Sequence, residues 1–523
     1  MKQTEKAQVT KNTGLVGGLT FLGRIFGFVR DAAMAWFFGT GFISDAFFVS
    51  FRIPSLLRRL FSEGILSLAF IPVFIEYVTV RGKEEAFYLA RSVFLTSFFV
   101  LSAATITGVI FAPVLVIFFA PGFVPFPEKF ALTVSLTRMM FPFVIFIGLS
   151  AISMGVLNTF GHFAAPSLSP LVINLSMIGA IWLISPQMTE PVKGLAIGVI
   201  IGGILQMALQ APFLVKTGIF FRKNVHLFHR GLKKVGSMTL PAALGASVFQ
   251  INMLLDTLIA SFLSEGSISH LYYADRLVQF PLGIFGTAAA MALLPSLSKE
   301  ASLKNYSALA ETICFSLKMV LFVTVPAMAG MVILREPIIS LLFERGAFDA
   351  QSVRLTAGAL LYYGLGLWAF TSVRIVVSTF YALQDAGTPL RIALVCIAAK
   401  VITAVVFMRF LDYKGLALST SLASVLNLIF LIRALQMKLG HINWGNTAVS
   451  LINIIMGTVV MSFGLAAVSR LILPVSNTSL ILKLSGLFGC IFIGIVIYVI
   501  FSILFKSREM QILLGAIRRI RRA

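Results

Sequence analysis

The sequence predicts an all-α membrane protein that crosses the bilayer many times. Hydrophobic residues make up 58% of its 523 positions, whereas charged residues make up only 12%. Apolar runs of about twenty residues, the length that a helix needs to span a bilayer, recur from one end of the chain to the other. A soluble protein of this length would need polar surfaces and linkers between its domains. The chain is therefore expected to lie in lipid.

Hydropathy windows of about 20 residues predict fourteen membrane helices. Their approximate limits are 14–38, 44–78, 87–112, 130–157, 165–184, 193–215, 235–262, 270–298, 308–334, 352–382, 390–410, 415–437, 447–470 and 480–505. The first window is longer than the apolar core of a signal peptide and contains Arg24 and Arg30. It is therefore interpreted as a helix that is retained in the membrane.

Cations concentrate in alternate loops, which orients these helices. One set of loops holds Arg81 with Lys83, the basic run 216–234, and Lys299 with Lys304. The intervening loops mix their few cations with acids, as in Glu128 with Lys129. The positive-inside rule then places both termini in the cytoplasm. A formal charge of +22 that is divided among loops in this way argues against nucleic-acid binding.

The basic tail after residue 506 allows two interpretations. Its apolar residues Ile512, Leu513, Ile517 and Ile520 alternate with arginines, as in a helix that lies on anionic lipid. Its cations would equally serve as a simple topological anchor.

An internal duplication divides the chain. At an offset of about 223 residues, Asp31 aligns with Asp256, Pro72 with Pro295, and residues 193–196 with 414–417. These matches predict two parallel copies of a six-helix unit, at 14–222 and 232–440. The expected domains are 1–222, 223–440, and a segment 441–523 that adds two further helices and the basic tail.

Charged residues occur inside the predicted membrane helices. They are Arg24, Arg30, Asp31, Asp45, Arg52, Arg58, Arg59 and Glu63 in the first two segments, and Asp256, Asp275, Arg276, Arg374 and Lys400 in the second repeat. An arginine that faced lipid at mid-depth would cost about 2.5–3.5 kcal/mol. These side chains must therefore form internal ion pairs or face a wet cavity.

The excess of arginine over acid favours the cavity. Guanidinium keeps its charge when it is buried, and its planar fork matches phosphate oxygens. A cationic cavity between two lobes implies an anionic substrate. Helical spacing places Arg24 on the same face as Asp31, and Asp45 on the same face as Arg52, Arg59 and Glu63. Pro54 disturbs the phase of that second face.

Signals for other chemistry are weak. The sequence lacks a Walker loop, so ATP hydrolysis is not expected. His226 and His229 are close in sequence, but they lie in a basic loop and are expected to be solvated rather than metal-bound. The three cysteines are isolated in apolar stretches. We expect no metal and no cofactor.

Several motifs resemble those of the MurJ family of lipid II flippases. They are Gly23-Arg-Ile-Phe-Gly-Phe-Val-Arg-Asp31, Ser44-Asp-Ala-Phe-Phe48, Leu56-Leu-Arg-Arg59, Phe61-Ser-Glu-Gly64 and Tyr272-Tyr-Ala-Asp-Arg276. The resemblance continues through 166–174, 295–298 and 381–389, so it covers nearly the whole chain, and it weakens over the last two helices.

The resemblance implies the fold of the multidrug/oligosaccharidyl-lipid/polysaccharide (MOP) exporters: two six-helix lobes in a V, with two additional helices that form a groove for the polyprenyl tail. It also implies a transporter and not an enzyme. Lipid II, the undecaprenyl-diphosphate-linked peptidoglycan precursor, would move from the cytoplasmic to the outer leaflet of the bacterial cytoplasmic membrane by alternating access. The expected partners are lipid II, membrane lipids and other cell-wall synthesis proteins, with the chain acting as a monomer.

The resemblance also assigns residues. It implies that Arg24, Arg30, Arg58 and Arg276 bind the substrate, whereas the helical face favoured Arg59 over Arg58. Supporting cavity or gate residues would be Asp31, Asp45, Arg52, Arg59, Glu63, Asn174, Asp275 and Arg374. Some members of the family have a sodium site at the acid of the seventh helix, which is Asp256 here. Lys400 can fill the place of that cation, so we expect an Asp256–Lys400 ion pair instead.

Two alternatives remain. One is the export of another lipid-linked oligosaccharide by the same superfamily. The other is a membrane-embedded enzyme acting on a lipid-linked sugar, for which only Asp45 and Glu63 are candidate acids or bases at the membrane surface.

Overall fold

A computed structural model describes residues 3–59, 69–219, 229–440, 444–472 and 480–520, with the side chains of 3–13, 59, 239–249, 446 and 516–520 left out. Nearly all of the described chain is helical, and no strand occurs within it. The chain divides into two compact units. The first comprises Met1–Gly266 with Arg345–Ala347, and the second comprises Ser267–Glu344 with Phe348–Ala523.

Within its described residues, the first unit contains ten α-helices. They are α1 (Gln3–Phe38), α2 (Phe42–Arg59), α3 (Ile71–Glu76), α4 (Lys83–Ile110), α5 (Ala112–Phe119), α6 (Pro127–Met140), α7 (Phe143–Thr159), α8 (Ala164–Leu183), α9 (Pro191–Thr217) and α10 (Arg230–Ser261). The core between α2, α4, α6 and α7 is built from Ile53, Leu101, Phe141 and Val144. Gly108 allows α4 to pack closely against Phe141, because a β-carbon at position 108 would lie 2.0 Å from the ring of Phe141.

In the described part of the second unit there are eleven α-helices. They are α11 (Ser267–Pro281), α12 (Ala288–Ser302), α13 (Tyr306–Ile333), α14 (Arg335–Phe343), α15 (Ala350–Gly364), α16 (Leu367–Ala382), α17 (Gly387–Leu411), α18 (Tyr413–Leu439), α19 (Gly445–Ile472), α20 (Leu480–Leu504) and α21 (Arg508–Ile520). Its main core joins α13, α16 and α18 through Ile313, Ile375 and Leu431.

Among the described residues, ten helices are long and apolar enough to cross a membrane, or eleven if the bent pair α15 and α16 counts as one span. The prediction of an all-helical, multi-pass membrane protein is confirmed. The predicted helices at 14–38, 44–78 and 235–262 are not among these spans. The count of fourteen therefore stays a prediction.

Several windows that were predicted as single helices are interrupted. The window 130–157 breaks at Phe141-Pro142, between α6 and α7, because proline lacks the N–H that would continue the helix. The window 352–382 bends by 42° between α15 and α16, next to Gly366. The window 270–298 contains a π-helical segment, Leu282–Thr287, directly after Pro281. Hydropathy averages over about 20 residues do not resolve such local breaks.

Helix α10 opens the second sequence repeat but belongs to the first compact unit. At its start, Lys234 forms an ion pair with Glu76 of α3, with 2.5 Å between Nζ and Oε2. At its end, the Ser261 hydroxyl accepts a hydrogen bond from the Gly122 N–H at 3.1 Å. The helix is therefore attached to the first unit at both ends. The predicted domain boundaries are divisions of the sequence and stay predictions.

Asp385 closes the turn between α16 and α17 at the membrane boundary. Its carboxylate accepts hydrogen bonds from Lys438 Nζ at 2.7 Å and from the Thr388 N–H at 3.0 Å. These contacts, above all the one from Lys438, hold the pKa of this carboxyl well below its usual range. The turn thereby ties the start of α17 to the end of α18.

Candidate functional site

Arg30 lies at the centre of a buried polar network between α1 and α8. Its Nε and Nη2 atoms donate to Oδ1 of Asp31 at 3.1 and 2.6 Å. Its Nη1 atom donates to Oδ1 of Asn174 at 3.1 Å. Asn174 in turn donates to the backbone carbonyl of Gly23 at 3.1 Å. One amide therefore orients the guanidinium and ties it to the backbone of α1.

Arg24 lies on the same helix as this network, but its side chain is exposed. The preceding Gly23 packs closely on α8, because a β-carbon there would lie 3.6 Å from Cβ of Pro170. Asp31 is fully buried. Despite the helical spacing, Arg24 and Asp31 therefore lie in different environments, and Asp31 is bound by its sequence neighbour Arg30.

Asp45 is buried at the start of α2 and is bound by Lys129, a residue that the hydropathy windows predict to lie in a loop. Lys129 Nζ lies 3.0 Å from Asp45 Oδ2 and 4.3 Å from the centre of the Phe123 ring. The Gly266 N–H donates to the same carboxylate oxygen at 2.9 Å. The prediction that Lys129 is a loop residue is wrong, because it lies in the first turn of α6 and is 7% exposed. Nothing in its sequence spacing signals this pairing.

Arg52 is half-buried and points toward α10. Its Nη1 atom donates to the Thr257 hydroxyl at 2.6 Å, whereas its buried Nε has no partner in the part of the chain that the structure describes. Arg58 lies one turn and a half further along α2 and is half-buried. Glu63 and the side chain of Arg59 lie outside the described residues, so the choice between Arg58 and Arg59 stays open.

The second unit places two of the predicted arginines on neighbouring elements. Arg276 is half-buried on α11, and Arg374 is exposed on α16. Helix α16 packs closely on the π-helical segment after α11, because a β-carbon at Gly286 would lie 3.3 Å from Cγ2 of Thr371. Asp275 is exposed and accepts a 3.4 Å hydrogen bond from Gln279.

Asp256 and Lys400 belong to different units. Asp256 is half-buried on α10 of the first unit. Lys400, on α17 of the second, is 4% exposed. The predicted ion pair between them stays a prediction.

His229 corrects another expectation. It is 7% exposed and packs against the rings of Tyr77 and Tyr88, with Nε2 3.1 Å from Oε1 of Glu85. The prediction of a solvated side chain is therefore wrong for His229, and His226 lies outside the described residues. Within the described ranges, no group of three or more His, Cys, Asp and Glu residues could hold a metal ion.

Long apolar helices that bury arginines define an integral membrane protein, and solved structures identify its fold. A multidrug resistance MATE family transporter of the MOP superfamily, in an inward-facing conformation, matches with a TM-score of 0.65 at 15% identity, over 81% of this chain and 98% of that one. The chain therefore has the MOP transporter fold.

The chain belongs to the lipid II flippase MurJ family, whose model matches residues 34–487. A probable lipid II flippase MurJ of Vibrio cholerae is 36% identical over 442 residues, covering 83% of this chain and 84% of the relative. The lipid II flippase MurJ of Burkholderia cenocepacia is 35% identical over 430 residues, covering 81% and 83%. A solved structure of lipid II flippase MurJ, in an inward closed conformation, matches with a TM-score of 0.78 at 28% identity, over 94% and 98%.

These findings confirm the predicted family and a transporter rather than an enzyme, and the MATE structure supports the predicted fold. The roles assigned to individual residues stay predictions.

Proposed function

We propose that this chain moves lipid II from the cytoplasmic to the outer leaflet of the bacterial cytoplasmic membrane. In this proposal, Arg24, Arg30, Arg58 and Arg276 bind the diphosphate of the lipid. Both termini are cytoplasmic, fourteen helices cross the membrane, and α19 and α20 accompany the polyprenyl tail. The chain acts as a monomer, alongside other cell-wall synthesis proteins.

The proposal rests on the finding that the acidic residues near the arginines are already paired with cations. The acidic side chains described in the membrane part of α1 and α2 are Asp31 and Asp45, and they are bound by Arg30 and Lys129. Arg24 is exposed, and Arg52 donates to a hydroxyl. In the described membrane part of α1 and α2, the four arginines Arg24, Arg30, Arg52 and Arg58 therefore outnumber the two acids. A diphosphate supplies the missing negative charge, and its oxygens match the donor geometry of guanidinium.

Binding can then drive transport without ATP. A ligand shifts a conformational equilibrium by the difference between its affinities for the two states. If the arginines hold the diphosphate differently in the inward-facing and outward-facing states, loading with lipid II changes which state is favoured. Access to the site then alternates between the two sides of the membrane.

Purified protein in vesicles tests this function directly. We expect lipid II to change leaflet while remaining chemically intact. A chain that instead cleaves or polymerises lipid II would be an enzyme, and a chain that flips another lipid-linked oligosaccharide but not lipid II would have a different substrate. Either result contradicts the proposal.

The substitution Arg276→Ala tests the site. We expect Arg276→Ala to abolish transport, because the methyl group of alanine cannot bind phosphate. Arg276→Lys should retain only part of the transport rate, since ammonium lacks the bidentate fork of guanidinium. Arg433→Ala removes an exposed arginine of the same unit and serves as the matched control. Transport is measured in vesicles and by rescue of flippase-depleted bacteria. Full rescue by Arg276→Ala would contradict the assigned role.

A further inference from the structure

The C-terminal helix α21 follows a membrane span after a tight reversal of the chain. Lys506 has a left-handed backbone, with φ of 50°. The Lys506 N–H bonds to the Ile503 carbonyl at 3.0 Å, and the Ser507 N–H bonds to the Ser502 carbonyl at 2.9 Å. This pair of bonds is the Schellman motif that ends helices. Because the candidate span ends at Leu504 and α21 begins at Arg508, α21 starts at the membrane boundary.

The first turn of α21 is fixed to the second unit. Glu509 is 3% exposed and accepts hydrogen bonds from Ser450 of α19 at 2.5 Å and from Ser507 at 3.1 Å. Met510 is buried in a cluster with Ile454 and Tyr498. The helix is therefore held beside the ends of α19 and α20 and cannot move freely into solvent.

The helical register of α21 separates apolar from cationic positions. Met510, Leu513 and Ile517 share one face, and Arg508, Arg518 and Arg519 share the other. Leu514, which is 37% exposed, lies at the boundary between the two faces, and Ile512, which is 44% exposed, lies four residues after Arg508 on the cationic face. Exposed aliphatic side chains beside cations are typical of a helix that lies in the membrane interface.

The acidic residue of α21 does not neutralise these cations. Glu509 is the acidic residue of the helix, and it is buried against Ser450. Lys506 and Arg508 are exposed. A topological anchor would need cations alone, whereas this segment also has a docked first turn, a regular helix and exposed aliphatic side chains. These additional features favour a helix built to lie on a surface of opposite charge.

We infer that α21 lies on the bilayer surface and that Lys506, Arg508, Arg518 and Arg519 bind the phosphates of anionic phospholipids. The Leu514 side chain enters the interface, and the docked first turn sets the depth of the helix. Each cation near an anionic surface strengthens such binding roughly five-fold at low salt. The lipid contact would hold α19 and α20 at a fixed position relative to that leaflet.

The full chain carrying Leu514→Cys tests this inference. Its native cysteines Cys314, Cys396 and Cys490 are buried, so a fluorescent maleimide should label position 514. The labelled protein is reconstituted in phosphatidylcholine vesicles with or without phosphatidylglycerol, both containing brominated lipid as a quencher. We expect stronger quenching in the anionic vesicles, and salt should weaken it because the contact is electrostatic.

A charge variant and a matched control complete the test. The charge variant combines Lys506→Gln, Arg508→Gln, Arg518→Gln and Arg519→Gln, and it should abolish the anion-dependent quenching. The control combines Lys233→Gln, Lys299→Gln, Lys304→Gln and Arg391→Gln. It removes the same charge at exposed positions elsewhere and should leave the quenching unchanged. Native mass spectrometry of unsubstituted protein should also show bound phosphatidylglycerol that the four-glutamine variant of α21 loses.

Two results would overturn the inference. Equal quenching in both kinds of vesicle would show that α21 does not select anionic lipid. A label quenched by aqueous iodide but not by brominated lipid in either vesicle would place α21 in water, where a soluble partner or solvent covers it. Flipping of lipid II is not measured in any arm, so failure here leaves the proposed function standing.

Discussion

Arg30, which we propose binds the diphosphate, is oriented by one amide, that of Asn174. Asp31 neutralises the guanidinium on one edge, and Asn174 holds another edge without adding charge. Burial alone would make an unpaired guanidinium costly, so both contacts lower the cost of keeping it in the bilayer. Because Asn174 also bonds the Gly23 carbonyl, the orientation of Arg30 depends on the packing of α1 against α8.

Asn174→Ala should therefore slow lipid II transport. A hydrogen bond to a charged group contributes about 1.5–3 kcal/mol, so loss of this bond should reduce the transport rate per folded molecule by roughly ten-fold or more. The rate is measured in vesicles over a range of lipid II concentrations. Asn174→Asp keeps an acceptor for Arg30, but it adds a negative charge and loses the donor to the Gly23 carbonyl, so it should not restore the rate.

Gln210→Ala is the matched control for this prediction. It removes a buried amide of the same unit, one that donates to Ser150 and Ser169. It should lower thermal stability but leave the rate per folded molecule unchanged. An unaltered rate in Asn174→Ala would show that Arg30 does not need this orientation.

The buried pair Lys129–Asp45 makes a second prediction at the scale of single residues. Removing one member of a buried ion pair typically costs 3–5 kcal/mol, because the other charge is left uncompensated. Lys129→Met should therefore lower the thermal unfolding temperature of the detergent-purified protein substantially. The double variant Lys129→Met/Asp45→Asn should recover much of the loss, since no charge then remains buried.

The alternative for this pair is a weak contact of the kind found at protein surfaces. Exposed pairs contribute about 0–1 kcal/mol. The Lys193–Glu190 pair, whose side chains are 30% and 49% exposed, provides that comparison through Lys193→Met. If Lys129→Met were as mild as Lys193→Met, the buried contact would not hold α6 against α2.

At the scale of elements, the start of α10 depends on an unusual cap. His229 Nδ1 accepts a hydrogen bond from the Gly231 N–H at 3.0 Å, while Nε2 faces Glu85. A side-chain acceptor at this position satisfies a backbone donor that the helix leaves open. The same histidine therefore caps α10 and connects it to α4.

His229→Ala should destabilise the protein by about 1 kcal/mol or more, the usual effect of losing a cap, with a further loss from the contact with Glu85. Asn is among the best capping residues, so His229→Asn should restore the cap but not the link to α4. Thermal unfolding of the purified protein measures both. Equal stability of the alanine and asparagine variants would show that capping contributes nothing here.

Helices with an uninterrupted run of apolar residues could be predicted from the sequence, whereas breaks within apolar windows could not. The window 480–505 corresponds to α20 at Leu480–Leu504 because nothing interrupts its apolar residues. The breaks at Pro142 and Gly366 depend on single residues within otherwise apolar windows. The pairing of Asp45 with Lys129 joins residues 84 positions apart, and such a contact is fixed by tertiary packing. Motif resemblance singled out Arg30, but the spacing did not reveal its bond to Asn174.

At the scale of the whole molecule, the distribution of cations predicts how the chain is oriented in the membrane. Loops rich in lysine and arginine remain cytoplasmic because moving them across the membrane is unfavourable. Ser302 is the last residue of α12 and lies between Lys299 and Lys304, at an end of the helix that this rule places inside. Thr189 lies in a loop that it places outside. Both side chains are exposed.

Cysteines at these positions test the orientation. Since Cys314, Cys396 and Cys490 are buried, a membrane-impermeant maleimide should react little with the unsubstituted chain in cells. Thr189→Cys should react in cells with an intact cytoplasmic membrane, and Ser302→Cys should react only after that membrane is opened. Three predicted membrane helices, 193–215, 235–262 and 270–298, lie between Thr189 and Ser302. Because three is an odd number, the two cysteines must report opposite sides of the membrane. Labelling of both from the same side would show that the helix count between them is wrong, and the reverse pattern would place the basic loops outside.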